Sequence, residues 1–220
     1  FGVFGGPSPE DTSLQGSEGD QTQESEQTNI TPEEVSDIEN KIRNRRPLSL
    51  DETEHFQHVD VFEEGPLFSY MPGDWEWVVS EDKNTHTLHL FGPAGEEMYL
   101  MLFKQEASDL FNKRVQVVAA NYAHAEKIPI QTEDFVEALK TNRMISPKFD
   151  DILPFDTSNT EMTAFIDKEN GTFHDFIVSE LFGYPMIFTS KLSLDDVDSW
   201  NLPIHFFTEI HVTEEPMVVR

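Results

Sequence analysis

Large apolar side chains are spread so unevenly along this 220-residue chain that only its later part can build a core. From Pro7 to Ile30 the only ones are Leu14 and Ile30, set among Ser, Thr, Gln, Asn, Glu, Asp, Gly and Pro. Ordering such a stretch costs conformational entropy with no burial to offset it. Residues 1–30 are therefore expected to form a disordered acidic arm. Nearly all of the 18 Phe, 3 Trp and 4 Tyr lie further on. Each of these that is fully buried contributes about 1.5–3 kcal/mol, enough in sum to support a domain.

The arm runs into a well-marked helix start. Thr31-Pro32-Glu33-Glu34 combines a capping residue, proline at the first helical position and a glutamate three residues after the cap. Val35, Ile38 and Ile42 then share one face. Lys41, Arg43, Arg45 and Arg46 complement the helix dipole at its far end, and Pro47 stops it. This predicts a helix over 32–46. Its stripe is too narrow for independent stability, so it must dock, either on its own domain or on a partner.

Beyond residue 59 the texture becomes that of strands. Runs at 74–79, 85–91 and 97–103, separated by polar and Gly-Pro turns, predict an antiparallel meander, with 97–103 apolar on both faces and hence central. Residues 106–127 fit either a helix or a strand at Val115–Val118; Ala119, Ala120, Ala123 and Ala125 favour the helix. A second helix is expected over 133–142. Strands resume at 162–167, turn at Asn170-Gly171 and return through 172–180, with further strands at 185–192 and 204–212. The sum is an α+β fold, an antiparallel sheet with packed helices (α/β/α sandwich-like) behind the arm. The expected division is the arm at 1–30, the docking helix and linker at 31–58, and the α+β domain at 59–220.

Charge narrows the partners. There are 42 Asp and Glu against 15 Lys and Arg, a formal net charge of −27, and acids outnumber bases both before and after residue 65. Phosphate backbones and anionic membranes would repel such a chain, so nucleic acid is not expected as a partner. Nor is membrane insertion, because no apolar run approaches the ~18 residues that span a bilayer. A basic protein partner is favoured by the field, beside the plainer reading that the charge serves solubility. The absence of cysteine excludes disulfides and thiolate chemistry. A chain starting at Phe1 rather than Met reflects either a removed targeting peptide or a cloning boundary, and a cleaved export signal is the favoured expectation, giving an extracytoplasmic (periplasmic or secreted) protein.

Linear catalytic signatures are missing: there is no nucleophile elbow, phosphate-binding loop, dinucleotide fingerprint or His-Glu-x-x-His helix. A hydrolase site assembled across the sheet would need His174 or His124 beside a carboxylate. Of the eight histidines, His55 and His58 with Asp60 have the best spacing for a metal, two nitrogens and an oxygen in one segment, against the plain reading of exposed loop histidines. The acid runs at 150–151 and 195–198 lack the order of a calcium loop. Trp75 and Trp77, two apart on a predicted strand, are either core or the lining of a partner groove.

Phe68-Ser-Tyr-Met-Pro-Gly-Asp-Trp75 resembles the opening strand and Pro-Gly-x-Trp turn of the PsbP/Mog1/DcrB-like superfamily. Residues 171–180, 186–190 and 204–212 resemble that family's closing strands, so the likeness covers about 66–212. It implies an α/β/α sandwich acting as a non-catalytic accessory factor or assembly protein, often exported; the arm and the two adjacent central helices depart from the pattern. The chain is thus expected to be a non-catalytic protein-binding accessory or assembly factor with no cofactor. Its partner-binding residues would be Val35, Ile38, Ile42, Trp75 and Trp77. The alternative is a metal- or small-ligand-binding protein using His55, His58 and Asp60.

Overall fold

Alternation of buried and exposed residues along the strands resolves the chain into two antiparallel sheets with helices packed on them, an α+β architecture. The computed structural model describes residues 31–62, 67–129, 160–181 and 183–212. The larger sheet has seven strands: β3 (Glu76–Glu81), β4 (Thr85–Phe91), β5 (Glu97–Phe103), β6 (Glu126–Pro129), β7 (Glu161–Asp167), β8 (Thr172–Leu181) and β9 (Tyr184–Ser193). Their spatial order is β3-β4-β5-β9-β8-β7-β6. A meander on one side and hairpins on the other meet where β5 pairs with β9. The smaller sheet joins β1 (Phe56–Asp60), β2 (Leu67–Pro72) and the short β10 (His211–Val212), in the order β1-β2-β10.

One face of the large sheet, the inner face, carries the main core. Leu88, Leu90, Leu100, Phe173, Ile177 and Phe188 point into it and are essentially inaccessible. It is roofed by Val59 and Met71 of the small sheet, by Trp200, and by α3 (Leu202–Thr208), every residue of which is buried. Trp200 stacks on Phe173 with ring centroids 4.1 Å apart and donates its indole N–H to the Ser193 carbonyl at 2.9 Å. The Ser69 hydroxyl donates to the Phe206 carbonyl at 2.7 Å, tying the small sheet to α3.

The predicted N-terminal helix is present as α1 (Pro32–Arg43), with its capping box formed. The Thr31 hydroxyl accepts from the Glu34 amide, and the Glu34 carboxylate accepts from the Thr31 amide at 2.7 Å. That amide, with help from Lys168, holds the Glu34 carboxyl down at about 2. The helix docks on its own domain: Ile38 and Ile42 enter the inner core and Val35 is half-buried. The dock is locked just past the helix end. Arg45 is buried, with Nη1 donating to both carboxylate oxygens of Asp175 at 2.9 Å, and its guanidinium lies 5.5 Å from the Phe173 ring centroid. The Ser190 hydroxyl donates to the same carboxylate. A buried charge of either sign is tolerable only with such a partner.

Two expectations need correction. Residues 204–212 were expected as one strand, but Leu202–Thr208 is helical and only His211–Val212 is extended. An apolar run buried on all sides has no period to betray it; Pro203, in the first helical turn, is the local signal for helix. The sheet is also not single, since β1 and β2, with β10, form a separate antiparallel sheet. The ambiguous central segment folds as α2 (Ser108–Asn121) followed by β6. Ser108 begins that helix without capping it; Ala107 holds the cap position with no side-chain bond. The helix expected over 133–142 lies outside the described residues.

The Pro-Gly-x-Trp turn has a direct steric reason. Gly73 donates its amide to the His55 carbonyl at 2.9 Å, and a Cβ on Gly73 would sit 2.6 Å from that same oxygen. Only glycine lets the backbone pass so close.

Candidate protein-binding face

The outer face of the large sheet differs from the inner one most toward β3. Cross-strand register places Glu76, Phe91, Glu97 and Lys191 in one row across β3, β4, β5 and β9, and Val78, His89, Tyr99 and Thr189 in the next. Further along the strands, Met101, Phe103, Phe165, Phe176 and Ile187 form a second, smaller core under α2, which contributes Phe111, Val115 and Val118, with Tyr122 just past its end. Tyr122 stacks on Phe165 at 4.5 Å, and burial pushes its hydroxyl up to about 12. The corner made by β3, β4 and the start of β5 lies outside this cover. There Val78 is 58% exposed and Phe91 37% exposed.

The corner is organised by charge and ring contacts. His89 lies against Phe91 with centroids 3.9 Å apart and meets Tyr99 edge-on at 5.2 Å. Its Nε2 is 3.2 Å from the Glu97 carboxylate, whose other oxygen accepts from Lys191. Burial works to raise the Glu97 pKa, but Lys191 and His89 outweigh it and keep the group ionised. On the opposite face of β3, shared with Trp77 and Val79, Glu81 pairs with Lys104 at 2.9 Å, which holds its carboxyl below the usual range. Glu76 is exposed beside Phe91. An aliphatic and an aromatic side chain thus stand beside the carboxylates of Glu76 and Glu97, on a surface ending in a sheet edge.

The residues singled out from sequence fall elsewhere. Ile38 and Ile42 are spent on α1's own dock. Trp75 is buried in the turn before β3, and Trp77 packs against the inner core from β3. His58 and Asp60 do come together on β1, with Nε2 and Oδ1 at 2.8 Å, but both stay exposed and His58 stacks on Phe68 at 4.6 Å. His55 sits in the preceding turn, and among the described residues no three His, Asp or Glu side chains are grouped to hold one metal ion.

The two histidines considered for catalysis act in separate pairs. His174 Nδ1 lies 3.0 Å from the Ser190 carbonyl, which can only accept, so this nitrogen carries the proton. Nε2 then accepts from the Thr172 hydroxyl at 2.8 Å. Burial depresses the His174 pKa and keeps the ring neutral, and the arrangement fastens β8 to β9. His124 lies 3.1 Å from Asp167, a carboxylate already held by the Asn170 amide and side chain at the hairpin turn.

Sequence reasoning missed the open corner because edge position is a property of topology. The available signal was one apolar residue on the outer face of each of two otherwise polar-faced strands, Val78 in Glu76–Glu81 and Phe91 in Thr85–Phe91. Set against family models, curated proteins and solved structures, the chain matches none. Among the described residues no helix is long and apolar enough to cross a membrane.

Proposed function

We propose that this protein is a non-catalytic protein-binding accessory or assembly factor, and that its docking surface is the open corner of the outer face. The observation that carries the reading is the exposure of Val78 and Phe91 on a regular sheet surface between Glu76 and Glu97. Exposed aromatic and aliphatic anchors inside a charged rim are the usual make-up of an interface centre. The net charge of −27 favours a partner of opposite sign and hastens its approach. Because α1 spends its apolar stripe on the domain, the stripe is not the primary contact, and residues 1–30 are assigned the role of a tether.

The test is site-specific photo-crosslinking in the source cells, with a photoreactive residue at Val78 and, for comparison, at Leu50 and Val117, which are exposed elsewhere. A discrete protein adduct from position 78 that disappears in a Phe91→Ser background supports the reading. Equal labelling from all three positions overturns it. Deleting residues 1–30 should leave the adduct in place.

A further inference from the structure

The geometry points to a mode of binding: we infer that an extended, basic segment of the partner adds as an eighth strand to the free edge of β3. This rests on the function proposed above and narrows its partner. Among the described residues β3 ends the seven-stranded order, with β4 as its one neighbour. At the turn the Asp82 amide donates to the Thr85 carbonyl. Counting back in twos, the antiparallel alternation puts the ladder bonds to β4 at Ser80, Val78 and Glu76. The main-chain N–H and C=O groups of Trp77, Val79 and Glu81 therefore point away from β4 along the open edge. Three successive donor–acceptor pairs at strand spacing form a template for another strand.

Charge chooses the occupant. A strand laid along this edge has one set of side chains level with Glu76, Val78 and Ser80 on the outer face and the other level with Trp77, Val79 and Glu81, and the carboxylates of Asp74, Glu76, Glu81 and Asp82 are exposed along it. Opposite charges across neighbouring strands are favourable and like charges are not. A second copy is disfavoured: with the outward groups of Trp77, Val79 and Glu81 in register, an antiparallel pairing of two copies centred on Val79 puts Glu76 opposite Asp82 of the other copy. In an alternating segment the Val, Ile or Phe side chains on the outer face lie beside Val78, and the Lys or Arg side chains fall on the other face, level with Glu81.

The probe is a synthetic heptapeptide, acetyl-Lys-Val-Lys-Phe-Lys-Val-Lys-amide, titrated into the full chain at low and moderate salt. Two controls accompany it: the same peptide N-methylated at alternate residues, with equal charge but no main-chain donors on one edge, and a version with Glu in place of Lys. Strand addition predicts binding that falls by about tenfold or more on N-methylation, is absent for the Glu peptide, and protects the Trp77, Val79 and Glu81 amides from exchange. Equal affinity for the parent and N-methylated peptides means attraction by charge alone and overturns the proposal. Slow exchange of those three amides in the free protein overturns it as well, because the edge is then already covered; light scattering tells a second copy from the chain's own segments. Val79→Pro removes one outward donor and should weaken the parent peptide without changing its salt dependence. If Val79→Pro lowers overall stability, the N-methylated peptide still decides the question on the unaltered chain. A cellular adduct from position 78 that survives Val79→Pro would leave the docking face standing and sink only the strand addition.

Discussion

The two faces of the seven-stranded sheet are made from the same strands by simple alternation, yet they do opposite work. The inner face is apolar, is covered by the small sheet, α1, Trp200 and α3, and is pinned by the buried Arg45–Asp175 pair. The outer face is apolar only beneath α2 and turns polar and open toward β3. The contrast teaches that stability and recognition are separated by one residue step along each strand. On β4, Leu88 and Leu90 hold the fold, while His89 and Phe91 face outward.

The sharpest way to break this comparison is to truncate matched phenylalanines. Phe188 on β9 is fully buried on the inner face beside Phe206 and Phe207. Phe188→Ala should cost about 3–5 kcal/mol in chemical denaturation, counting the cavity left behind. A loss below about 1.5 kcal/mol would mean that the inner face is not where stability resides.

Almost as large an effect is expected from the Arg45–Asp175 lock. Asp175→Ala strands a buried guanidinium and should cost about 3–5 kcal/mol, whereas replacing both partners together, Arg45→Met with Asp175→Leu, should recover most of that. The pair is what makes α1 part of the body. If Asp175→Ala leaves global stability intact and only speeds amide exchange in α1, the helix is an appendage rather than a layer of the fold.

How much of this was legible in advance depended on whether the information was local. The capping box at Thr31 and Glu34, the hairpin at Asn170-Gly171 (where Gly171 has a φ of 63°) and the alternating strands 85–91 and 172–180 are written in neighbouring residues, and they formed as read. Residues 204–212 misled because a segment buried all round shows no period, and β-rich composition won over Pro203. The partnership of Arg45 with Asp175 spans 130 positions, and nothing local in Arg45 says that it is buried. The candidate face was illegible for a related reason: which strand ends a sheet is settled by long-range pairing. Trp75 and Trp77 drew attention by size, but size marks core more often than it marks surface.

A middle-sized effect concerns His205 on α3. The ring is buried, meets Phe56 edge-on at 5.0 Å, and neither nitrogen has a hydrogen-bond partner. Burial lowers its pKa below the ordinary imidazole value, with Glu209 and Glu52 opposing only in part. The folded state then binds fewer protons than the unfolded state below pH ~6.5, so stability is full above that value and is lost as pH falls toward the folded pKa. One such group contributes a slope of at most about 1.4 kcal/mol per pH unit. His86 and His174, also lowered by burial, act in the same direction. His205→Leu should flatten the dependence between about pH 5 and 7 and leave stability at pH 8 unchanged or higher. An unchanged slope would show that His205 charges without cost in the fold.

The smallest effects belong to the corner itself. Val78→Thr keeps a β-branched side chain on an exposed strand position and should change stability by no more than about 0.5 kcal/mol. Phe91→Ser gives up its contact with His89 but leaves no internal cavity, since Phe91 is already 37% exposed. The two substitutions are expected to add nearly nothing to the unfolding profile, while Phe91→Ser still abolishes the adduct formed from position 78. Should they destabilise the protein as much as an inner-face truncation, Val78 and Phe91 would be serving the fold, and the division of labour between the two faces would lose its clearest example.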